Sequence, residues 1–415
     1  MRFIHASDLH LDSPLRGLDR YEGAPIERLR TATRAALERL VDLALEERVD
    51  FLLLAGDLYD RDWQDFHTGL FFRGQMARLD RAGIPVFAVQ GNHDAQGVIS
   101  RQLALPPNVH VFSSRAAQTR RIDELAVAIH GRSFPDRAVE EDLVPSYPEP
   151  VPGYFNIGLL HTSLNGRPGH DNYAPTGLAT LVAKGYDYWA LGHVHAREVV
   201  AESPRIVFPG NLQGRHANEI GPKGCERVAV EAGRVEAEFV ALDVARWSHL
   251  KVALDGVESL EALASAFREA LEPVLAGAAD RLHALRVTLT GTSGLHRLEA
   301  RQPGTLAAAV KAAAQDVADA EIWIEQVKLA LASPHDRAQA AQRQDAVGEL
   351  ARLVDGIAAD EAALREWARG ALGEVLSHLP PEVAAGDMPR WDEAGDLRAL
   401  LLDAEATVLA RLAGQ

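Results

Sequence analysis

Short apolar runs recur through the first part of the chain and predict buried strands. Residues 2–7 form the first, and Phe51–Ala55 in "DFLLLAGD", "PVFAVQGNHD", "FNIGLLHTS", "YDYWALGHVH" and "RIVFPGN" repeat the pattern. Each run is four to seven residues long and nearly unbroken, as expected for strands covered on both faces. Shorter strands are expected near 109–112 and 125–130, and a pair of sheet-like segments at 225–232 and 234–241. Between the runs, residues 27–47 and 66–82 carry apolar positions at helical spacing and predict amphipathic helices. The proline-rich stretch 145–153, "PSYPEPVPG", predicts a surface loop. Alternating strands and helices with several buried strands predict an α/β or α+β sandwich for residues 1–245.

Near residue 246 the pattern resets. Residues 248–254, 283–291 and 321–330 predict strands, and 259–274 and 304–317 predict helices, together a small α+β module at 246–332. Beyond Pro334 the pattern is helical over 337–356, 360–377 and 396–413, with a break at Pro380-Pro381. Residues 333–415 therefore form a helical C-terminal region. No internal repeat or low-complexity tract is visible.

Composition narrows the function classes. The 415 residues are 47% hydrophobic and 25% charged, an ordinary globular balance. No apolar run is long enough for a membrane span. No signal segment precedes the first strand and there is a single cysteine, Cys225, which suits a reducing cytoplasm and a buried structural thiol. The net charge of −16 makes the chain a poor non-specific binder of nucleic acid. Chemistry on DNA would need a local site, metal ions, or a partner that supplies positive charge.

The polar residues that follow the buried runs supply such a site. "SDLH" delivers Asp8 and His10, "LAGD" Asp57, "GNHD" Asn92, His93 and Asp94, "LLHTS" His161, and "GHVH" His193 and His195. In an extended segment i and i+2 share a face, so Asp8 with His10, and His193 with His195, can each aim as a pair at one spot. Open α/β sheets place sites beyond the carboxyl ends of their strands. Two divalent ions against two carboxylates and a hydroxide leave a net positive site, suited to an anionic phosphodiester. Imidazole-rich donors favour Mn, Fe or Zn over Mg alone. Gly56, Gly91 and Gly192 each precede a candidate ligand, where tight turns are easiest.

This ordered set resembles the five motif blocks of the calcineurin-like metallophosphoesterase superfamily. The resemblance covers residues 1 to about 245 and implies a four-layer fold, two β-sheets packed face to face with helices outside. It implies that Asp8, His10, Asp57 and His195 hold one metal, and that Asp57, Asn92, His161 and His193 hold the other. His93 would protonate the leaving oxygen or contact the phosphate, oriented by Asp94. The opening "MRFIHASDLHLDSPL", "GDLYD" and "FPGNLQGRHANEIGPKGC" are similar to the DNA double-strand-break repair nucleases, the YhaO-type and SbcD-like exonucleases. That branch implies a DNA substrate, Mn2+ as the metal, a capping domain at 246–332, an SMC-like coiled-coil ATPase partner docked by the C-terminal helices, and a homodimer. Arg215 and His216 are candidates to line the rim and touch phosphate, with a loop-stabilising arginine as the alternative. Trp63, Phe66, Phe71 and Phe72 read as helix core or as a platform for DNA. Competing functions are a small-molecule phosphodiesterase and a scaffold with a vestigial site.

Overall fold

Three layers of apolar side chains organise residues 1–249. A computed structural model of the chain describes residues 1–14, 23–60, 66–95, 104–167, 171–334, 337–378 and 394–412. Trp63 lies outside the described residues, as do Pro380 and Pro381. Two compact units result: Met1–His249 with Gly277–Leu285 and Asp319–Glu325, and Leu250–Ala276 with Arg286–Ala318 and Gln326–Gln415.

The first unit holds two six-stranded sheets. One contains β1 (Arg2–Ala6), β2 (Phe51–Ala55), β3 (Val86–Val89), β4 (Val109–Val111), β11 (Gly224–Glu231) and β12 (Arg234–Ala241), in the order β12-β11-β1-β2-β3-β4. β1 to β4 run parallel, and β11 pairs antiparallel to β1 and to β12. The other contains β5 (Gln118–Ile122), β6 (Val127–Gly131), β7 (Phe155–His161), β8 (Tyr188–Gly192), β9 (Glu198–Glu202) and β10 (Arg205–Phe208), in the order β5-β6-β7-β8-β10-β9. Its four central strands are parallel.

Alternation along each strand divides the core. Phe3, Phe51, Leu53 and Phe87 meet Ile129, Ile157, Leu159 and Tyr188 between the sheets. Their neighbours Ile4, Leu52, Leu54 and Ala88 face the other way, against Leu37 and Leu40 of α1 (Ile26–Glu46) and Phe72 and Met76 of α2 (Phe66–Arg81). On the far side of the second sheet, Leu160, Trp189, Leu191 and Phe208 are covered by Leu143, Val144, Tyr147 and by Leu181 of the short helix α3 (Leu178–Ala183). Two sheets face to face with helices outside match the four-layer expectation. β5, β9 and α3 have no counterpart in the apolar pattern, because they are short edge or covering elements of five or six residues.

A third sheet contains β13 (Ala245–Ala253), β14 (Leu282–Thr292) and β15 (Glu321–Ala332) in that order. In the second unit α4 (Leu260–Leu275) packs on α6 (Thr305–Gln315), and the short α5 (Leu295–Arg301) precedes α6. The helical region holds α7 (Arg337–Ala341), α8 (Ala346–Ala359), α9 (Glu361–Ser377) and α10 (Ala394–Leu412). The single helix expected over 337–356 is divided, because Asp345 caps α8 and accepts the N–H groups of Val347 and Gly348. Val354, Leu364, Leu397 and Leu401 form a core of their own. The N–H at Nε of Arg411 donates to Ala300 O at 2.6 Å, which ties α10 to α5. No helix among the described residues is long and apolar enough to cross a membrane.

Candidate metal centre

All parallel strands of both sheets deliver their carboxyl ends to one edge of the first unit. Asp8 and His10 follow β1, Asp57 follows β2, and Asn92 and His93 follow β3. His161 ends β7, and His193 and His195 follow β8. The loops are stitched together by backbone bonds. Asp8 N–H donates to Gly56 O at 3.0 Å, His10 N–H to Asp57 O at 3.0 Å, and Thr162 N–H to Gly192 O at 3.0 Å. Asp8, His10, Asp57 and His193 have φ of 52°, 41°, 50° and 103°. Non-glycine residues in that region carry backbone strain, which the surrounding bonds must hold.

Three groups of donor atoms emerge, one of them His10 with Asp60 and His93; the two that hold the expected ligands are Asp8 with His10 and His195, and Asp57 with His161 and His193. The i,i+2 expectation holds in outcome for Asp8 and His10, although left-handed turns rather than extended backbone bring them together. It fails for His193 and His195, which belong to different groups. Asp57 Oδ2 stands between the groups, 3.8 Å from His10 Nε2 and 3.5 Å from His161 Nε2. Its other oxygen accepts His93 N–H at 2.9 Å. Asn92 Oδ1 lies 3.0 Å from His161 Nε2. Seven residues expected as ligands therefore converge, all of them buried except for part of His195.

Close packing explains two of the glycines. A Cβ on Gly192 would stand 1.9 Å from Ala55 O, and one on Gly91 2.3 Å from Asp57 Oδ1. Neither has positive φ, so close approach rather than turn geometry excludes a side chain there.

The imidazole protons cannot satisfy these contacts alone. His161 places Nδ1 2.9 Å from Ala55 O and Nε2 3.0 Å from Asn92 Oδ1, two acceptors for the one N–H of a neutral ring. His10 Nε2 and His195 Nε2 face each other at 3.1 Å. Nitrogen lone pairs, carboxylates and an amide oxygen converging in a buried space are what divalent cations require. The residues present fit a cation pair.

Electrostatics agree. Burial raises the Asp57 carboxyl well above its ordinary range, with Asp94 and Asp8 adding to it. Burial also works to raise Asp8, but His195, His161 and His10 prevail and hold it below the ordinary range. Burial, with Arg215 adding to it, lowers His10 from 6.5 to about 3, leaving a neutral imidazole.

Asp94 and His93 are not arranged as expected. The Asp94 carboxylate accepts the N–H groups of Leu58, Tyr59 and Gly91 at 3.1, 2.9 and 3.2 Å. It fastens the loop after β2 to the loop after β3. The carboxylate beside His93 is Asp60, with Oδ1 2.5 Å from His93 Nδ1. Burial works to raise Asp60, but the His10 and His93 rings beside it hold it well below the usual range. Asp60 stands three residues after Asp57 in "GDLYD", and that spacing is the one sequence signal for it.

The rim is built by residues 211–223. The Arg215 guanidinium bonds Glu219 at 2.9 Å and lies 3.8 Å from Asp60 Oδ2, so a carboxylate clamp occupies it. His216 is more exposed, with Nε2 3.5 Å from Glu219 Oε1. Both line an open cavity of about 680 Å³, with Asp57, Asn92, His93 and His195 in its wall. Glu219 was not anticipated from the sequence. Phe72 is core and Phe71 lies under Arg34, whereas Phe66 is half exposed on α2.

Residues 1–197 match the family model of the calcineurin-like phosphoesterases, and residues 247–332 match that of the middle domain of metallophosphoesterase YhaO. The chain is 35% identical over 333 residues to the uncharacterized metallophosphoesterase YhaO of Bacillus subtilis (strain 168), covering 79% of this chain and 81% of that protein. The chain belongs to the calcineurin-like metallophosphoesterases. The chain is also 26% identical over 275 residues to the DNA double-strand break repair protein Mre11 of Methanopyrus kandleri. The match covers 59% of this metallophosphoesterase and 58% of that protein. Solved structures that resemble it include TT1561 of Thermus thermophilus, at 15% identity and a TM-score of 0.35, covering 57% of this chain and 98% of that one. A dimetal phosphatase from Danio rerio shares 10% identity at a TM-score of 0.36, covering 58% and 96%. Metallophosphoesterases are phosphoester hydrolases, and the paired donor groups are where this chain offers the means for such chemistry.

Proposed function

We propose that this metallophosphoesterase is a dinuclear-metal phosphodiesterase that acts on DNA, as an exonuclease or endonuclease in repair. The observation that carries the dinuclear reading is Asp57 Oδ2, which stands within 4 Å of an imidazole nitrogen from each donor group. Asp8, His10, Asp57 and His195 would hold one ion, and Asp57, Asn92, His161 and His193 the other. When bound, the ions supply hydroxide at neutral pH and offset charge on the phosphate. The imidazole-rich donor set suits Mn2+, Fe or Zn over Mg alone, and Mn2+ is the ion that the repair-nuclease resemblance implies.

The chain's own residues do the rest. Asp60 Oδ1 stands 2.5 Å from His93 Nδ1, which keeps the ring on the cavity wall, and Nε2 would give a proton to the leaving oxygen. Asp94 keeps His93 in reach by fixing the two loops that carry Asp57 and His93. Arg215 supports Asp60 from behind, and His216 stands at the rim where substrate would enter.

The DNA substrate is supported by the likeness to Mre11 and by the "GNLQGRHAN" segment at the rim. The net charge of −16 supports a partner that grips the duplex. An SMC-like coiled-coil ATPase docked on the helices after residue 337 would supply it, with residues 246–332 as a cap and a homodimer as the assembly.

One observation favours a second reading, a phosphodiesterase of small molecules such as cyclic nucleotides or dinucleotide polyphosphates. Among the described cavity residues the two basic side chains, Arg215 and Lys223, are both engaged, the latter with His195 O at 2.7 Å. Little is left in the cavity to track a polyanion. Incubation with Mn2+ and linear duplex or single-stranded DNA, with and without the ATPase, separates the two. DNA degraded with Mn2+ and spared by EDTA supports the nuclease. Hydrolysis of bis-p-nitrophenyl phosphate and cyclic nucleotides with all DNA intact supports the second reading.

A further inference from the structure

His195 has a carboxylate behind it. Glu219, on the loop after β10, is buried and places Oε1 2.8 Å from His195 Nδ1. Its other oxygen accepts the Arg215 backbone N–H at 2.7 Å and Asn211 Nδ2–H at 2.9 Å. The loop is therefore folded around this carboxylate. The remaining ring nitrogen of His195, Nε2, faces His10 Nε2 at 3.1 Å and lies 3.9 Å from Asp8 Oδ1.

The position of the imidazole proton follows from these distances. Without a proton on Nδ1, a nitrogen lone pair would face a carboxylate oxygen at 2.8 Å, which is repulsive in a buried site. With the proton there, the same contact is a charge-assisted hydrogen bond. Arg215 Nη2 also approaches Nδ1, at 3.2 Å, but it has Glu219 Oε1 as an acceptor at 2.9 Å and does not need the imidazole. The proton therefore sits on Nδ1, and the Nε2 lone pair is turned toward Asp8 and His10.

We propose that Glu219 is a positioning residue for the ion held by Asp8, His10 and His195. It fixes the tautomer and direction of His195 and, through the negative charge behind the ring, strengthens Nε2 as a donor. Arg215 extends the arrangement. One guanidinium holds Glu219 behind His195 and reaches Asp60 behind His93, so the ligand and the proton donor share one support. This rests on the dinuclear reading of the site, and it gives the "GRHANE" segment a task apart from contact with substrate.

The test uses the full chain stripped of metal and titrated with Mn2+ in a calorimeter, wild type against Glu219→Gln. Wild type is expected to take two ions. In E219Q one of the two is expected to weaken by about 10- to 100-fold, the effect of losing a partner behind a histidine ligand, with the other nearly unchanged. Equal affinities for both ions in the two proteins overturn the proposal while leaving the dinuclear reading intact. Failure of the wild type to take two ions overturns the dinuclear reading itself. Because Glu219 also holds Asn211 and Arg215, a second measurement uses unaltered protein. In metal-free wild type, at a pH where the His195 ring carries a single proton, 15N spectra are expected to place that proton on Nδ1. The opposite tautomer overturns the proposal whatever the variant does.

Discussion

Asp60 Oδ1 lies 2.5 Å from His93 Nδ1, and its second oxygen lies 3.8 Å from the Arg215 guanidinium. The same carboxylate is 3.5 Å from His10 Nδ1. One aspartate thus stands behind both a candidate ligand and the candidate proton donor. His93 lies outside the donor groups built on Asp8 and Asp57 and shares a third with His10 and Asp60.

His93→Ala should keep two ions and lose turnover of a model phosphodiester by about 10²- to 10⁴-fold, the span of a lost general acid. Asp60→Asn should lose less, since the ring stays in place with a weaker partner. Kinetics at saturating Mn2+ with metal content measured on the same samples check this. A metal-free H93A protein, or one that keeps full activity, overturns the role.

Asp94→Ala should act on stability. Three buried N–H groups lose their acceptor, each at about 1–3 kcal/mol, so a loss of roughly 3 kcal/mol or more is expected in urea melts. Turnover of the remaining folded protein should fall less than in His93→Ala. Unchanged stability with a turnover loss equal to that of H93A would place Asp94 in the chemistry.

Gly91→Ala should damage the centre with the fold largely kept. The added methyl would meet Asp57 Oδ1 at 2.3 Å and the His161 ring at 2.7 Å, both side chains that can shift. Gly192→Ala meets backbone at Ala55 O and should instead fail to fold. Mn2+ titration and circular dichroism of the two proteins distinguish these outcomes.

Acid should weaken the fold through His5, a fully buried imidazole bonded to Tyr188 Oη and Leu191 O. Burial lowers its pKa from 6.5 to about 3. The unfolded chain takes up this proton below about pH 6.5, and the folded chain does not until near pH 3. Its contribution is therefore full above the unfolded value and falls by about 1.4 kcal/mol per pH unit as acid is added. His5→Gln should decline more gently between about pH 6 and 4, by about one proton, in urea melts with EDTA present. Parallel curves for the two proteins would contradict this.

The central strands and the seven converging residues were legible because the buried strands are apolar runs and five of them, β1, β2, β3, β7 and β8, end in donors. Asp60 and Glu219 were not, because a carboxylate partner of a histidine is brought in by the fold. Glu219 lies 24 positions after His195 on a different loop. Backbone conformation was also hidden. Asp8, His10 and His193 have left-handed φ rather than the extended backbone that alternation assumes, and His193 and His195 divide between two groups. The edge strands β5 and β9 lacked a signal because they bury too little.

The dinuclear centre depends on Asp57 more than on any other residue, and counting bound Mn2+ in wild type and in Asp57→Asn tests it most directly. Two ions per chain in the wild type, and neither held tightly in the variant, are the expected result. A wild type that never exceeds one ion, or a D57N protein that still holds two with unchanged affinity, would contradict the account.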